Sequence, residues 1–189
     1  GADDVECDLS DAASFQSLAK RLPGDAPWFT SHLSRAKLTA QTVRDAGLAT
    51  SDPVIDERFG EQSFGDWQGQ TWDGMRAADP EFYDNFWLDP VRNRPPNGES
   101  FADQIARVGE AIDHYTEQHP GGNIVCVSHG GTIRAAISHA LGLDPFAGMA
   151  ITVGTLSLSI IEHVPGGLLR GKGSAWRVVH VNRPARDDQ

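Results

Sequence analysis

The stretch from Asn123 to Gly142, NIVCVSHGGTIRAAISHALG, constrains the fold more than any other part of the chain. Ile124 to Val127 is a short apolar run without polar alternation, as expected for a strand covered on both faces. Ser128-His129-Gly130-Gly131 follows, and Thr132 to Leu141 is then amphipathic and helical, with Gly142 as its stop. A strand that enters a helix through paired glycines leaves the first backbone N–H groups of that helix unpaired, and the helix dipole adds partial positive charge there. Glycine lets an anion approach such a backbone closely. A histidine at this mouth can donate to a phosphate or move a proton. It can equally cap the helix or bond a neighbouring carbonyl.

The rest of the chain alternates in the same way. Ser10 to Leu22 is a helix with Ser10 as its cap and Phe15, Leu18, Ala19 and Leu22 on one face; Pro23-Gly24 ends it. Pro27 to Ser31 is a short strand and Ser34 to Ala46 a second helix. Ser51 to Gly74 is irregular and rich in glycine and aromatics, and Pro95-Pro96-Asn97-Gly98 is a turn. Ser100 caps a long helix, with Asp103 three residues on in capping-box fashion. Phe101, Ile105, Val108, Ile112 and Tyr115 form the apolar stripe of that helix. Leu156, Leu158 and Ile160 alternate with serines as a half-buried strand. A Pro165-Gly166-Gly167 turn and a loop lead to a last strand, Trp176 to Val181, paired antiparallel at the edge. The expected fold class is α/β: one domain over residues 1–189, a three-layer α/β/α sandwich with a mixed, mostly parallel central sheet.

Charge and cysteine content exclude several functions. The formal net charge of −10 provides no basic face for nucleic acid, and any anionic substrate needs a local cationic pocket. No apolar run has the length of a membrane span, and no secretory signal is visible. Two cysteines are too few for a disulfide framework; Cys126, in its strand-like run, is expected to be buried and reduced, which fits a cytoplasmic location. No cluster has the spacing of metal ligands, so neither metal nor cofactor is expected.

Four segments, FTSHLSRAKLTAQTV, DERFGEQSFGDWQGQTWDGM, PPNGESF and VSHGGTIRA, occur in an order that resembles the histidine phosphatase superfamily, the phosphoglycerate-mutase-like proteins. The resemblance runs from about Asp8 to Asn182. It implies a cofactor-independent phosphohistidine mechanism acting on a small phosphorylated substrate. It places His129 and Arg35 on the phosphoryl oxygens and Glu61 as the proton donor to the leaving group. That chemistry needs neutralised equatorial oxygens and in-line positioning, and a planar guanidinium suits it. Ser31, Gly130, Arg134 and Glu99 are the candidate substrate contacts, with a salt bridge as the alternative for Arg134 and a structural role as that for Glu99.

One part of the family pattern is absent. No Arg-His-Gly occurs, and none of the seven histidines follows an arginine. CDLSDAASFQSLAKRL resembles the segment just downstream of that motif, so the domain is expected to lack its first strand and nucleophile motif, with both lying upstream in the natural protein. The other reading is a degenerate member that binds phosphate compounds without turnover. The compact segment after Gly65 favours a phosphomonoester hydrolase over a phosphoglycerate mutase, and WLDP with PPNGESFAD loosely resembles α-ribazole phosphatase. The expected partner is a small phosphorylated substrate or inorganic phosphate, with no nucleic acid and no membrane; a homodimer is left open.

Overall fold

The computed structural model describes residues 1–169 and 175–186. The elements in order are α1 (Ala12–Arg21), β1 (Trp28–Thr30), α2 (Ser34–Asp45), β2 (Val54–Ile55), α3 (Trp72–Ala78), α4 (Pro80–Phe86), α5 (Phe101–Gln118), β3 (Val125–Val127), α6 (Gly130–Leu141), α7 (Pro145–Met149), β4 (Leu158–His163) and β5 (Trp176–Arg183). Short 3-10 turns cover Glu57–Phe59 and Gly65–Trp67.

The strands form the middle of an α/β/α sandwich. β2, β1 and β3 pair in parallel, with Phe29 opposite both Val54 and Cys126. β4 and β5 pair antiparallel. Alternation along β1 separates two cores, because successive strand side chains point to opposite faces. Trp28 packs with Phe15, Leu18, Ala40 and Val43 of α1 and α2. Phe29 packs with Phe59, Ala111 and Tyr115 beneath α5. Among the described residues, β3 pairs along its β1 edge only and β4 along its β5 edge only. α6 lies against α5 and also reaches β4 and β5.

The helix ends follow local chemistry. α5 carries the complete capping box, Ser100 with Asp103, and α6 stops at Gly142, whose φ of 60° is the left-handed conformation that glycine adopts without strain. α1 is capped by Asp11 rather than Ser10; the Asp11 carboxylate accepts from Ser14 N at 3.1 Å and from Ser14 Oγ at 2.7 Å. Three further expectations are corrected. The 51–74 region contains β2, both 3-10 turns and the start of α3. β4 begins two residues late, because Leu156 turns at φ 55°. Cys126 is exposed, on a strand that has a neighbour on one side only among the described residues. The loop expected before β5 runs through 170–174, outside the described residues. No described helix is long and apolar enough to cross a membrane.

Candidate active site

The C-terminal ends of β1 and β3 deliver two side chains to each other. β1 ends into Ser31, which is fully buried, and β3 runs into His129, the N-cap residue of α6. The His129 side chain makes no capping bond. Its Nε2 lies 2.7 Å from Ser31 Oγ, and its Nδ1 accepts from Arg35 Nε at 3.2 Å. Arginine can only donate, so Nδ1 carries no proton and the neutral ring holds its hydrogen on Nε2. Nε2–H then donates to Ser31 Oγ, which also accepts from Leu33 N at 3.2 Å. Burial, and next the positive charge of Arg35, push the His129 pKa down to about 4, against the opposing pull of Glu61.

Arg35 stands in the first turn of α2, a helix whose own N-cap, Leu33, offers no side-chain acceptor. Asp4 supplies one: its carboxylate accepts from Ser34 N at 2.7 Å and Ser34 Oγ at 2.6 Å. That contact lays residues 1–4 beside Arg35, whose terminal nitrogens donate to the carbonyls of Gly1 and Asp3.

Glu61 reaches the same junction from the loop after the first 3-10 turn. Its carboxylate accepts from Gln62 N at 2.9 Å, Gln104 Nε2 at 3.0 Å and Gly131 N at 3.0 Å. Burial works to raise its pKa, but the bonds from Gln62, Gln104 and Gly131 outweigh it and hold the carboxyl below its ordinary value. This explains the second glycine of the motif. A Cβ on Gly131 would overlap Glu61 Oε1 and stand 3.1 Å from Glu61 Cδ, whereas a Cβ on Gly130 would meet open space. The first donor of α6 that the structure shows engaged is therefore bound to a carboxylate of the chain itself.

The loop carrying Glu61 is pinned on both sides. Gly60 O accepts from Thr132 Oγ1 at 2.8 Å, and Ser128 Oγ donates to Phe59 O at 2.8 Å. Glu99 receives both Arg107 Nε at 3.1 Å and Arg107 Nη2 at 2.6 Å, and it also accepts from Ser63 N at 3.1 Å. Glu99 thus braces the loop. Arg134 donates through Nε to Ile151 O at 2.7 Å, tying down the chain beyond α7; it makes no salt bridge among the described contacts.

So His129, Arg35, Ser31, Glu61 and Gly130 come together at one junction, while Glu99 and Arg134 engage neighbouring loops. Gln104, Arg107 and Thr132 were not singled out from sequence. Gln104 had a legible signal: it falls at helical spacing between Phe101 and Val108, a polar residue within an apolar stripe. Among the described residues no group of three or more His, Cys, Asp or Glu is arranged to hold a metal.

A neutral buried imidazole, a guanidinium and a carboxylate thus stand together at the C-terminal ends of parallel strands, where open α/β sheets bind their ligands. Residues 8–171 match the family model of the histidine phosphatase superfamily (branch 1), and the chain belongs to that family. It is 33% identical over 150 residues to the bifunctional protein Rv2228c of Mycobacterium tuberculosis, covering 79% of this chain and 40% of that one. It is 33% identical over 120 residues to a 2,3-bisphosphoglycerate-dependent phosphoglycerate mutase of Brucella anthropi, covering 62% of this chain and 58% of the relative. The chain thus spans less than two thirds of the length of these curated relatives. Among solved structures, Bacillus stearothermophilus YhfR superposes with a TM-score of 0.75 at 28% identity, over 95% of this chain and 86% of its own. A mycobacterial glucosyl-3-phosphoglycerate phosphatase in complex with inorganic phosphate gives 0.76 at 26% identity, over 98% and 91%. The fold is accordingly the mixed, mostly parallel α/β/α sandwich of the phosphoglycerate-mutase-like proteins.

Proposed function

We propose that this chain forms most of a phosphomonoester hydrolase for a small phosphorylated metabolite, working through a phosphohistidine intermediate. The observation that carries the reading is the neutral, buried His129 bonded to Arg35, with Glu61 at the same helix mouth. In this reading Arg35 exchanges its bonds to the Gly1 and Asp3 carbonyls, and the Nε2–H of His129 its bond to Ser31 Oγ, for phosphoryl oxygens, the charge-neutralising role that phosphoryl transfer demands. Nδ1 of His129 accepts from Arg35 and Nε2 carries the proton, so neither ring nitrogen has a free lone pair to attack phosphorus, while Nε2–H remains a donor. The attacking imidazole belongs to an Arg-His-Gly segment upstream of Gly1. It forms the P–N bond as the P–O bond breaks, and Glu61 delivers its proton to the leaving oxygen. Water then cleaves the P–N bond and returns a proton to Glu61. The unpaired edges of β3 and β4 support a further strand belonging to that segment.

The Brucella relative favours a second reading, phosphoglycerate mutase. Both are tested in the full-length protein with phosphoglycerates, sugar phosphates, α-ribazole phosphate and nucleotide monophosphates. Release of inorganic phosphate supports the hydrolase, and exchange between phosphoglycerate isomers supports the mutase. Alkaline quenching during turnover, followed by mass spectrometry, should place the phosphoryl group on an upstream histidine. Label on His129, or turnover unaffected by His129→Ala, overturns the mechanism. Phosphate binding without turnover identifies a degenerate member.

A further inference from the structure

Gln104 is fully buried on α5 and has no part in the chemistry proposed above. Its Nε2 donates to Glu61 Oε1 at 3.0 Å and to Thr132 Oγ1 at 3.3 Å. Thr132 directs its own proton to Gly60 O at 2.8 Å, so its Oγ1 is an acceptor towards Gln104. Glu61 is an acceptor as well. The amide is therefore oriented with its nitrogen towards both, and its Oε1, turned away, has no hydrogen-bond partner among the described residues. A buried carbonyl without a donor is costly, and a methionine of similar shape would not incur that cost. The position thus keeps a polar group at a loss to packing. What the group gains lies on Glu61. Of the three donors that Glu61 receives, Gln62 and Gly131 use backbone N–H, and Gln104 alone uses a side chain.

We propose that Gln104 is a positioning residue for Glu61, holding its carboxyl group against the start of α6 and stabilising the ionised form left once its proton has gone to the leaving oxygen. The inference deepens the reading of Glu61 as the proton-transfer group and rests on it for its kinetic consequence only. The titratable and charged groups that face Glu61 from neighbouring elements are His129 at the start of α6 and, through that ring, Arg35 of α2 and His32. The Arg107–Glu99 pair of α5 and its preceding loop flanks the other side through Gly60 and Ser63. None of these is altered in the variants below.

The test is the carboxyl 13C NMR titration of Glu61 in the full-length protein, with the signal assigned by Glu61→Gln. Gln104→Met removes the donor at nearly constant volume. It should raise the Glu61 midpoint by about one pH unit, a tenfold gain in proton affinity, because only the ionised form loses a bond. Gln104→Glu should raise it further, since two adjoining carboxyls then share one proton. The melting temperature of Gln104→Met sets the bonds lost from Glu61 and Thr132 against relief of the unpaired carbonyl, so the Glu61 midpoint is the deciding readout. A lower melting temperature with an unmoved Glu61 midpoint in both variants would reduce Gln104 to packing and overturn the proposal. In the pH–rate profile, the basic limb should move up with the titration. A shifted midpoint with an unshifted limb would leave the Gln104 inference standing and remove Glu61 from the rate-limiting proton transfer.

Discussion

Replacing Gly131 by alanine and replacing Gly130 by alanine should have opposite outcomes. The two glycines are adjacent at the start of α6 and chemically identical, yet a methyl group on Gly131 would occupy the place of the Glu61 carboxylate, while one on Gly130 meets nothing within 4 Å. Gly131→Ala must expel the carboxylate and break its 3.0 Å bond to Gly131 N. A hydrogen bond to a charged group contributes about 1.5–3 kcal/mol, and a negative charge at a helix N-terminus about 0.3–1 kcal/mol more. Alanine returns up to about 1 kcal/mol of helix preference over glycine. The net expectation is a loss of about 2 kcal/mol, or roughly 4–8 °C of melting temperature for a chain of this size. Gly130→Ala keeps the Glu61 bond and should melt at the wild-type temperature or up to ~2 °C above it. In the full-length protein, the role proposed for Glu61 predicts that Gly131→Ala also lowers turnover by roughly 10²–10⁴, the usual contribution of a positioned proton donor. Thermal melts of the two variants side by side are the assay. Equal shifts, or a destabilised Gly130→Ala beside an unaffected Gly131→Ala, would refute the idea that the second glycine exists to admit Glu61.

Three other outcomes can be measured on the same protein. His129 has an ordinary pKa of 6.5 and is pushed to about 4 in the fold, so between these values the unfolded chain binds the extra proton; stability present above pH 6.5 is lost as pH falls towards 4, on the order of 3 kcal/mol in all. Urea unfolding at pH 7 and pH 4.5 should show that slope in the wild type and a flatter one in His129→Gln. Ser31→Ala removes the buried partner of His129 Nε2 and should cost about 1–2 kcal/mol while Arg35 keeps the proton on Nε2, so 15N NMR of the imidazole should show the same tautomer with a weaker hydrogen bond at Nε2. Ser100→Ala breaks the capping box of α5 and should cost about 1 kcal/mol in denaturant unfolding while leaving the Glu61 carboxyl signal in place.

The elements with strong local chemistry were legible in the sequence. α5 declared itself by its stripe and its capping box, α6 by the strand–glycine–helix junction and Gly142, and β4 with β5 by the alternation and turn between them. α3 and α4 were missed because each is only seven residues long, too short for a period to emerge. Their signals were caps instead: Thr71, and Asp79 followed by Pro80 at the first helical position. The exposure of Cys126 was illegible for another reason: an apolar run states that a strand can be covered, not that a neighbour is present to cover it. At the site, His129, Arg35 and Glu61 were approached through resemblance, and local sequence alone left each with a plain alternative. Gln104 showed in the sequence only as a polar residue within an apolar stripe; its partner Glu61, and the Gly60 partner of Arg107, lie dozens of positions away and are set by tertiary pairing that a one-dimensional pattern does not carry.

The small aromatic core beneath α3 and α4 has a consequence for motion. Trp67, Met75 and Phe86, with Phe64 and Tyr83 beside them, form a cluster separate from the cores that hold the strands, and α3 and α4 pack chiefly on each other. Segments with so few ties to the main body open at a fraction of the global unfolding free energy. Phe64 and Trp67 lie on the stretch that begins at Glu61, and Asp66 N is anchored to Pro96 O at 2.9 Å. Opening this helical pair therefore slackens the tether of Glu61 without disturbing β1 or β3. Glu61, the proposed proton donor, thus sits where a separately opening segment joins the part that carries His129 and Arg35.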